Sequence, residues 1–337
     1  MGVSAILAGD IGGTHARLGL FDIAADPGPP RIQETLLCRQ FSGLGELLQH
    51  FVQMQTVPLA GACLAVAGPV ANGRGVITNL GWPVDAVALA KGLGLQQVLI
   101  LNDLEAVGYG LPVLPAASLM TLNAGDPSAR GNLAVIAAGT GLGQCACYFD
   151  GHDHHPFPGQ GGHADFAPRS DVEVELLRHL MGRLSHVSYE RVVSGPGLLE
   201  IYNFLRTTGR GREPEALTAS IHADGKPETV VAAALSGESE RCTLAAKMWL
   251  SILAAEAGNL ALTVMARGGV YVGGGMVRRL LPLLSAAEFM QVFTNKGAMG
   301  ELLAAMPVQV IQDDSAGLLG AARYMSKLAQ PSGRDVS

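Results

Sequence analysis

The chain has 337 residues, 48% of them apolar and only 15% charged, with a net charge of −6. That length exceeds the ~250–300 residues at which one hydrophobic core stops growing, so two lobes are expected, and so low a charge describes a large core rather than a disordered chain. The 23 Lys and Arg form no basic run, which argues against a nucleic-acid partner, and no apolar run free of charge and glycine approaches the ~20 residues of a membrane span.

In chain order, "SAILAGD" and "HARLGLFD" read as strands joined by the turn "IGGT", and "RIQETLLCRQF" reads as a third strand. "LGELLQHFVQM" has helical spacing, "LAGACLAVAGPV" is a buried strand ending at Pro69, and "GVITN" is a short strand. Asp85 caps a helix through "AVALAKGLG", and "QVLILND" is a strand ending on Asn102 and Asp103. Strands interleaved with helices argue for an α/β lobe. "LEAVGYGLPVLP" reads as a helix broken at Pro112. A second glycine hairpin, "VIAAGTGLGQCACYFDG", carries Cys145 and Cys147 on one strand face toward the core. Five cysteines without a CxxC pair fit a reducing compartment, and the N-terminal stretch lacks the basic region of a signal peptide, so a cytoplasmic protein is expected. "DGHDHHPFPGQGGHADFAPRS" reads as a polar loop. A helix follows from Asp171, capped by Ser170, with a stripe at Val174, Leu177 and Leu180. "GPGLLEIYNFL" opens another helix, and "RTTGRGREPEALT" reads as a surface loop. Glu240 to Arg267 is a long Ala/Leu-rich helix, "GGVYVGGGMV" a strand running into a glycine turn, "SAGLLGAARYMSKLA" a final helix, and the last few residues read as disordered.

The two hairpins look like one design used twice. With Asp22 laid on Asp150, each runs apolar strand, glycine-rich turn, apolar strand, Phe-Asp, and Asp10 in the first meets Ala138 in the second. Backbone N–H groups in such turns make a concave surface suited to phosphate oxygens, and Thr14 and Thr140 add hydroxyls. Neither turn is a P-loop or a Rossmann fingerprint, since GxxxxGK[ST] is absent and "GTGLG" leads into another strand. Two phosphate-gripping turns suit a nucleoside triphosphate, and the single acid, Asp10, suits Mg²⁺ held partly through water. The plainer alternative is two ordinary tight hairpins.

"GDIGGTHARLGLFD", "LNDLEAVGYG", "AAGTGLG", "PGQGGHADFAP", "ERVVSGPGLLEIYN" and "VGGGM" stand in the order and spacing of bacterial glucokinases, and from Gly9 to about Leu328 the chain resembles that family of actin-like ATPase relatives. It is less similar to the repressor/ORF/kinase group, whose zinc-binding cysteine cluster is missing. The resemblance implies a duplicated ribonuclease-H-like fold, α/β in class, with two lobes around a cleft, ATP and Mg²⁺, and phosphorylation of the 6-hydroxyl of glucose. It implies that Gly9, Asp10, Ile11, Gly12, Gly13 and Thr14 form the first phosphate element, with Asp10 serving Mg²⁺. Gly139, Thr140 and Gly141 would be the second, and Gly273, Gly274 and Gly275 would lie beside the adenosine. Asn102 and Asp103 would hold the far edge of the sugar, with Asp103 the general base, while Gln160, His163 and Glu190 would close around the 1-, 2- and 3-hydroxyls. A homodimer is also implied. A small lobe of residues 1–112 plus 315–330 and a large lobe of 113–314 are expected.

Each site residue has a plainer reading. Asp103 ends an apolar strand, as a base on a rigid support should, but the same place suits a helix cap for "LEAVGYG". His163 follows "HDHH", which invites zinc, although no regular ligand spacing appears. Glu190 could sit on an exposed helix face, Trp82 in "TNLGWPVD" reads as packing, and Asn79 as an orienting residue near the sugar. Two residues depart from the family. Gln160 replaces the Glu of PGEGGH, removing a charge and so weakening sugar binding, which licenses a kinase for another hexose as an alternative to glucose. His15 replaces an Asn after GGT, where it could meet phosphate or merely pack. A sugar sensor without turnover is the remaining alternative, opposed by the presence of both Asp10 and Asp103.

Overall fold

The computed structural model describes residues 4–24 and 26–329; the tail residues read as disordered lie outside them. The chain divides into two compact units. One comprises Met1–Ser118, His154–Pro158 and Asp313–Ser337, the other Leu119–Asp153 and Gly159–Gln312.

In the first unit β1 (Ala5–Ile11), β2 (His15–Asp22), β3 (Ile32–Leu37) and β4 (Leu59–Val66) are followed by a small separate antiparallel sheet. That sheet consists of β5 (Val70–Ala71), β6 (Arg74–Ile77) and β7 (Trp82–Asp85). With β8 (Val98–Asn102) the main sheet has the order β3-β2-β1-β4-β8. Its inner strands β2, β1 and β4 are largely buried on both faces while the edge strand β3 is mostly exposed, and alternation divides the buried residues. Ala5, Leu7, Leu64 and Ile100 face α1 (Leu44–Gln53) and α2 (Ala86–Leu93), whereas Ile6, Ala8, Ala65 and Leu101 face α3 (Asp103–Gly110) and the C-terminal helix Ser315–Ala329. Those last two helices cross with backbones nearly touching. A Cβ on Gly320 would lie 1.7 Å from the Ala106 carbonyl oxygen, and one on Gly110 2.2 Å from that of Ala316.

The second unit holds β9 (Leu119–Asn123), β10 (Leu133–Ala138) and β11 (Leu142–Phe149); β12 (His154–Gly159) follows in sequence, most of it grouped with the first unit. After α4 (Asp171–Met181), α5 (Gly195–Thr207), α6 (Glu215–Asp224), α7 (Pro227–Ser236) and α8 (Glu240–Val264) come β13 (Gly269–Gly273), α9 (Gly275–Leu280), α10 (Ala286–Phe293), α11 (Gly300–Ala304) and β14 (Val308–Ile311). The strands run β11-β10-β13-β14-β9. The connectivity repeats that of the first unit. Apart from β9, which pairs antiparallel with β14, and the small sheet β5–β7, each unit has an antiparallel hairpin whose leading strand pairs in parallel with a later strand, which in turn pairs in parallel with a third. Trp249 of α8 is fully buried and donates its indole N–H to the Ser194 carbonyl at 3.0 Å.

Several expected elements change. β3 stops at Leu37, and Cys38–Gln40 makes a short 3₁₀ turn closed by the Phe41 N–H on the Cys38 carbonyl at 3.0 Å. The polar loop contains the strand β12, and the loop expected at "RTTGRGREPEALT" gives way to α6 at Glu215. The buried stripe of α4 is Glu173, Leu176 and Leu180, one step away from the expected Val174 and Leu177, because Arg169 neutralises Glu173 there. α8 ends at Val264, where Met265 takes φ +50. Asp85 and Ser170 are the caps expected of them, and Trp82 packs on the first unit's core. All five cysteines are buried and free, and among the described residues no helix is long and apolar enough to cross a membrane.

Candidate active site

The alternation that sends Ile6 and Ala8 toward the C-terminal helix carries Asp10 to the same face. A Cβ at Gly317 of that helix would lie 3.2 Å from Asp10 Cγ, so glycine there makes room for the carboxyl. Across the hairpin Asp10 sits opposite Arg17, whose Nη1 is 3.5 Å from Asp10 Oδ2 and whose Nη2 pairs with the Asp314 carboxylate. Asp10 keeps 23% of its side-chain surface open. Even so, loss of water pushes its pKa up to about 6; Arg17 pulls it down, and Asp103 and Asp314 push it further up. Three carboxylates against one guanidinium make a place where a cation would be stabilised.

The turn itself is braced. Gly12 N–H donates to the His15 carbonyl at 3.0 Å, and Cys38 donates its N–H to Thr14 O at 2.9 Å and its thiol to Gly12 O at 3.6 Å. A Cβ on Gly13 would lie 2.7 Å from that of Asn79, which leaves little room for a larger residue, and one on Gly9 2.8 Å from Leu64 Cδ2, where a side-chain methyl would have to shift. Thr14 and His15 stay exposed, and Ile11 is core.

Asn102, not Asp103, is the cap of α3. Its Oδ1 accepts from the Leu104 and Glu105 N–H groups at 3.0 and 3.3 Å, and Glu105 accepts from the Asn102 N–H at 3.3 Å, closing a capping box. The cap reading of Asp103 is thereby corrected: Asp103 is the first helical residue. Asp103 Oδ1 accepts from the Leu104 N–H at 3.0 Å. Burial raises its pKa to about 6, against the backbone N–H groups of Leu104 and Asp103 and the Asn102 amide. Asn102 Nδ2 also donates to the Gly68 carbonyl at 3.1 Å, so its amide is engaged by Gly68 and Asp103 together.

The second unit assembles the other expected residues. In its hairpin Gly139 N–H donates to Gly141 O at 2.9 Å, Gly195 N–H donates to Gly139 O at 2.8 Å, and Thr140 is exposed. The turns differ in length, because Ile11 pairs with Ala16 and Ala138 with Leu142. Counted back from the turn, the counterpart of Asp10 is therefore Ala137 rather than Ala138. Gly274 has φ +96, and a Cβ there would lie 2.2 Å from Ala138 O; this close approach sets Gly273, Gly274 and Gly275 beside the hairpin. Glu190 lies in a turn, not on a helix. Its Oε2 accepts from the Leu142 N–H at 2.9 Å, and its Oε1 is 3.9 Å from His163 Nδ1. Gln160 and His163 are exposed on a 3₁₀ turn in which His163 N–H donates to Gln160 O at 3.0 Å.

Residues 7–328 match the family model for glucokinase. The chain belongs to the glucokinase family. The glucokinase of Nostoc sp. is 38% identical over 96% of this chain and 99% of its own length. The glucokinase of an Antarctic psychrotroph superposes with a TM-score of 0.82 at 29% identity, covering 96% of this chain and 99% of that one. A Streptomyces griseus glucokinase of the ROK family, solved with glucose and AMPPNP, has a TM-score of 0.62 at 19% identity over 95% and 99% of the two chains. The fold is that of the actin-like ATPases, a ribonuclease-H-like unit used twice.

In this glucokinase-family chain sequence reasoning passed over Arg17 and Asp314, which frame Asp10, and Cys38, which braces the first turn. Arg17 was legible, since antiparallel pairing across "IGGT" sets it opposite Asp10. Asp314 and Cys38 are brought in by tertiary contacts with no local signal.

Proposed function

We propose that the protein transfers the terminal phosphoryl group of ATP to the 6-hydroxyl of glucose, as its family and the named relatives suggest. Asp103 takes the hydroxyl proton as the sugar oxygen forms its bond to phosphorus and the bond to the leaving diphosphate breaks. A carboxyl titrating near 6 is ionised at neutral pH yet more basic than one in water, which suits that task. Asn102, expected at the far edge of the sugar, also holds Asp103 in place, and Gln160, His163 and Glu190 hydrogen-bond the 1-, 2- and 3-hydroxyls. The N–H groups of Gly9 to Thr14 and Gly139 to Gly141 receive phosphate oxygens, with Gly273 to Gly275 beside the adenosine.

Asp10 and its neighbours fit Mg²⁺. Loss of water first, and then the charges of Asp103 and Asp314, raise Asp10 against the pull of Arg17, and among the described residues no three His, Cys, Asp or Glu side chains converge to hold an ion alone. Phosphate and water would thus supply most ligands, and the ion would neutralise charge developing on the phosphates. The observation that carries this reading is Asp103, the first residue of α3 rather than its cap, close enough to Asp10 for its charge to raise that carboxyl.

The test is ADP formation across a panel of hexoses with Mg²⁺, comparing wild type with Asp103→Asn. The variant should still bind sugar and turn over at least ~100-fold more slowly. Wild-type turnover with no hexose, or an Asn variant of undiminished rate, refutes the proposal. Gln160 supports a second reading, preference for another hexose, which the same panel decides.

A further inference from the structure

Glu256 is a carboxylate in the middle of an Ala/Leu-rich helix, only 5% exposed, and the proposed chemistry does not use it. An isolated charge in such a place is costly, so its partners indicate what it is for. Its Oε1 accepts from Gln144 Nε2 at 2.7 Å, and its Oε2 accepts from Asn259 Nδ2 at 2.9 Å. Lys296 supplies the balancing charge, donating to Asn259 Oδ1 with its stem against Gly258.

Both arms of this network end on the sugar-binding segment. Gln144 turns its Oε1 to Gly161, where a Cβ would lie only 2.0 Å away. Gly161 therefore rests directly on Gln144, between Gln160 and His163. On the other arm Asn259 Nδ2 donates to the Tyr189 hydroxyl at 2.9 Å, and Tyr189 immediately precedes Glu190. The two ends are also tied to each other, since Tyr189 N–H donates to Ala164 O at 3.0 Å and Glu190 N–H to Gly162 O at 2.8 Å. Residues separated by ~30 positions in sequence thus share one foundation.

We propose that Glu256 is a positioning residue that fixes both parts of the hexose-binding surface at once, through Gln144 to Gly161 and through Asn259 and Tyr189 to Glu190. This rests on the sugar-binding reading of Gln160, His163 and Glu190. Removing an arm should leave the nucleotide elements in place and loosen the hydroxyl contacts, so the hexose KM should rise while the ATP KM holds.

The variants are Gln144→Leu, Tyr189→Phe, Glu256→Gln and the double variant Gln144→Leu with Glu256→Gln. The readouts are glucose binding by calorimetry, both KM values and melting temperature. Gln144→Leu should weaken hexose binding and raise its KM by roughly 5–30-fold, the loss of one hydrogen bond to a charged group. Tyr189→Phe should give ~3–10-fold, and the ATP KM should stay within about twofold. The double variant should be little worse than Glu256→Gln alone, because both changes cut the same arm. Folded variants with an unchanged hexose KM overturn the inference, as do hexose and ATP KM values rising in parallel with a falling melting temperature. If Glu256→Gln does not fold, Tyr189→Phe, which removes one oxygen atom, decides alone. Wild type that binds glucose without turnover, with binding weakened in the variants, sinks the kinase reading and keeps this one. Wild type that turns over while the variants match it sinks this one only.

Discussion

Replacing Asp103 by Asn should make the protein more stable and nearly inactive. Burial raises the Asp103 pKa from 3.8 to about 6. At ~1.36 kcal/mol per pKa unit, keeping this group ionised in the folded state costs at most about 3 kcal/mol. A carboxyl with a folded pKa above its unfolded one binds its proton more tightly when folded, so the cost is absent below about pH 4 and grows as pH rises to 6. Asparagine never ionises, and its side-chain oxygen can keep the 3.0 Å bond from the Leu104 N–H. In urea titrations the variant should therefore exceed wild type by up to ~3 kcal/mol at pH 8, and the gap should close by about pH 4. The wild-type kcat/KM should fall as pH drops through 6, to about a tenth at pH 5 from Asp103 alone and lower still because Asp10 titrates in the same range. A variant less stable than wild type at pH 8, or a wild-type profile flat to pH 5, refutes the account.

Gln160→Glu restores a charged acceptor on the exposed turn and should lower the hexose KM by roughly 5–30-fold in a coupled assay; an unchanged or higher value defeats the role given to position 160. Gly274→Ala places a methyl 2.2 Å from Ala138 O at φ +96 and should destabilise by ~3 kcal/mol or more while raising the ATP KM, read by urea midpoint and kinetics. Gly320→Ala drives a methyl into the Ala106 carbonyl and should lower stability by about 3 kcal/mol or more, with activity lost in proportion to the folded fraction.

The hairpins were legible because a glycine turn between alternating apolar strands has one inexpensive geometry. The offset between the two turns was not, since a one-residue difference in turn length disappears when the copies are aligned on a shared Phe-Asp. Asn102 and Asp103 are both good caps by type, and the choice fell to Glu105, whose side chain closes the box with Asn102. α6 buries only Ile221, too weak a stripe to be recognised. Glu256 was invisible for a different reason. Its partners Gln144, Tyr189 and Lys296 come from three distant segments, and only packing makes them neighbours.

The C-terminal helix fixes when the first unit can be finished. Arg17 pairs with Asp314, and Arg323 Nε with Asp26 at 2.9 Å, each link spanning 297 residues. Apart from His154–Pro158, everything between Ser118 and Asp313 belongs to the second unit. At ~5–20 residues per second a ribosome needs on the order of 10–40 s to make that stretch. Throughout that interval the nascent first unit lacks the wall beside Asp10, and translation abandoned anywhere within it yields a chain whose Asp10 carboxylate stands open to water.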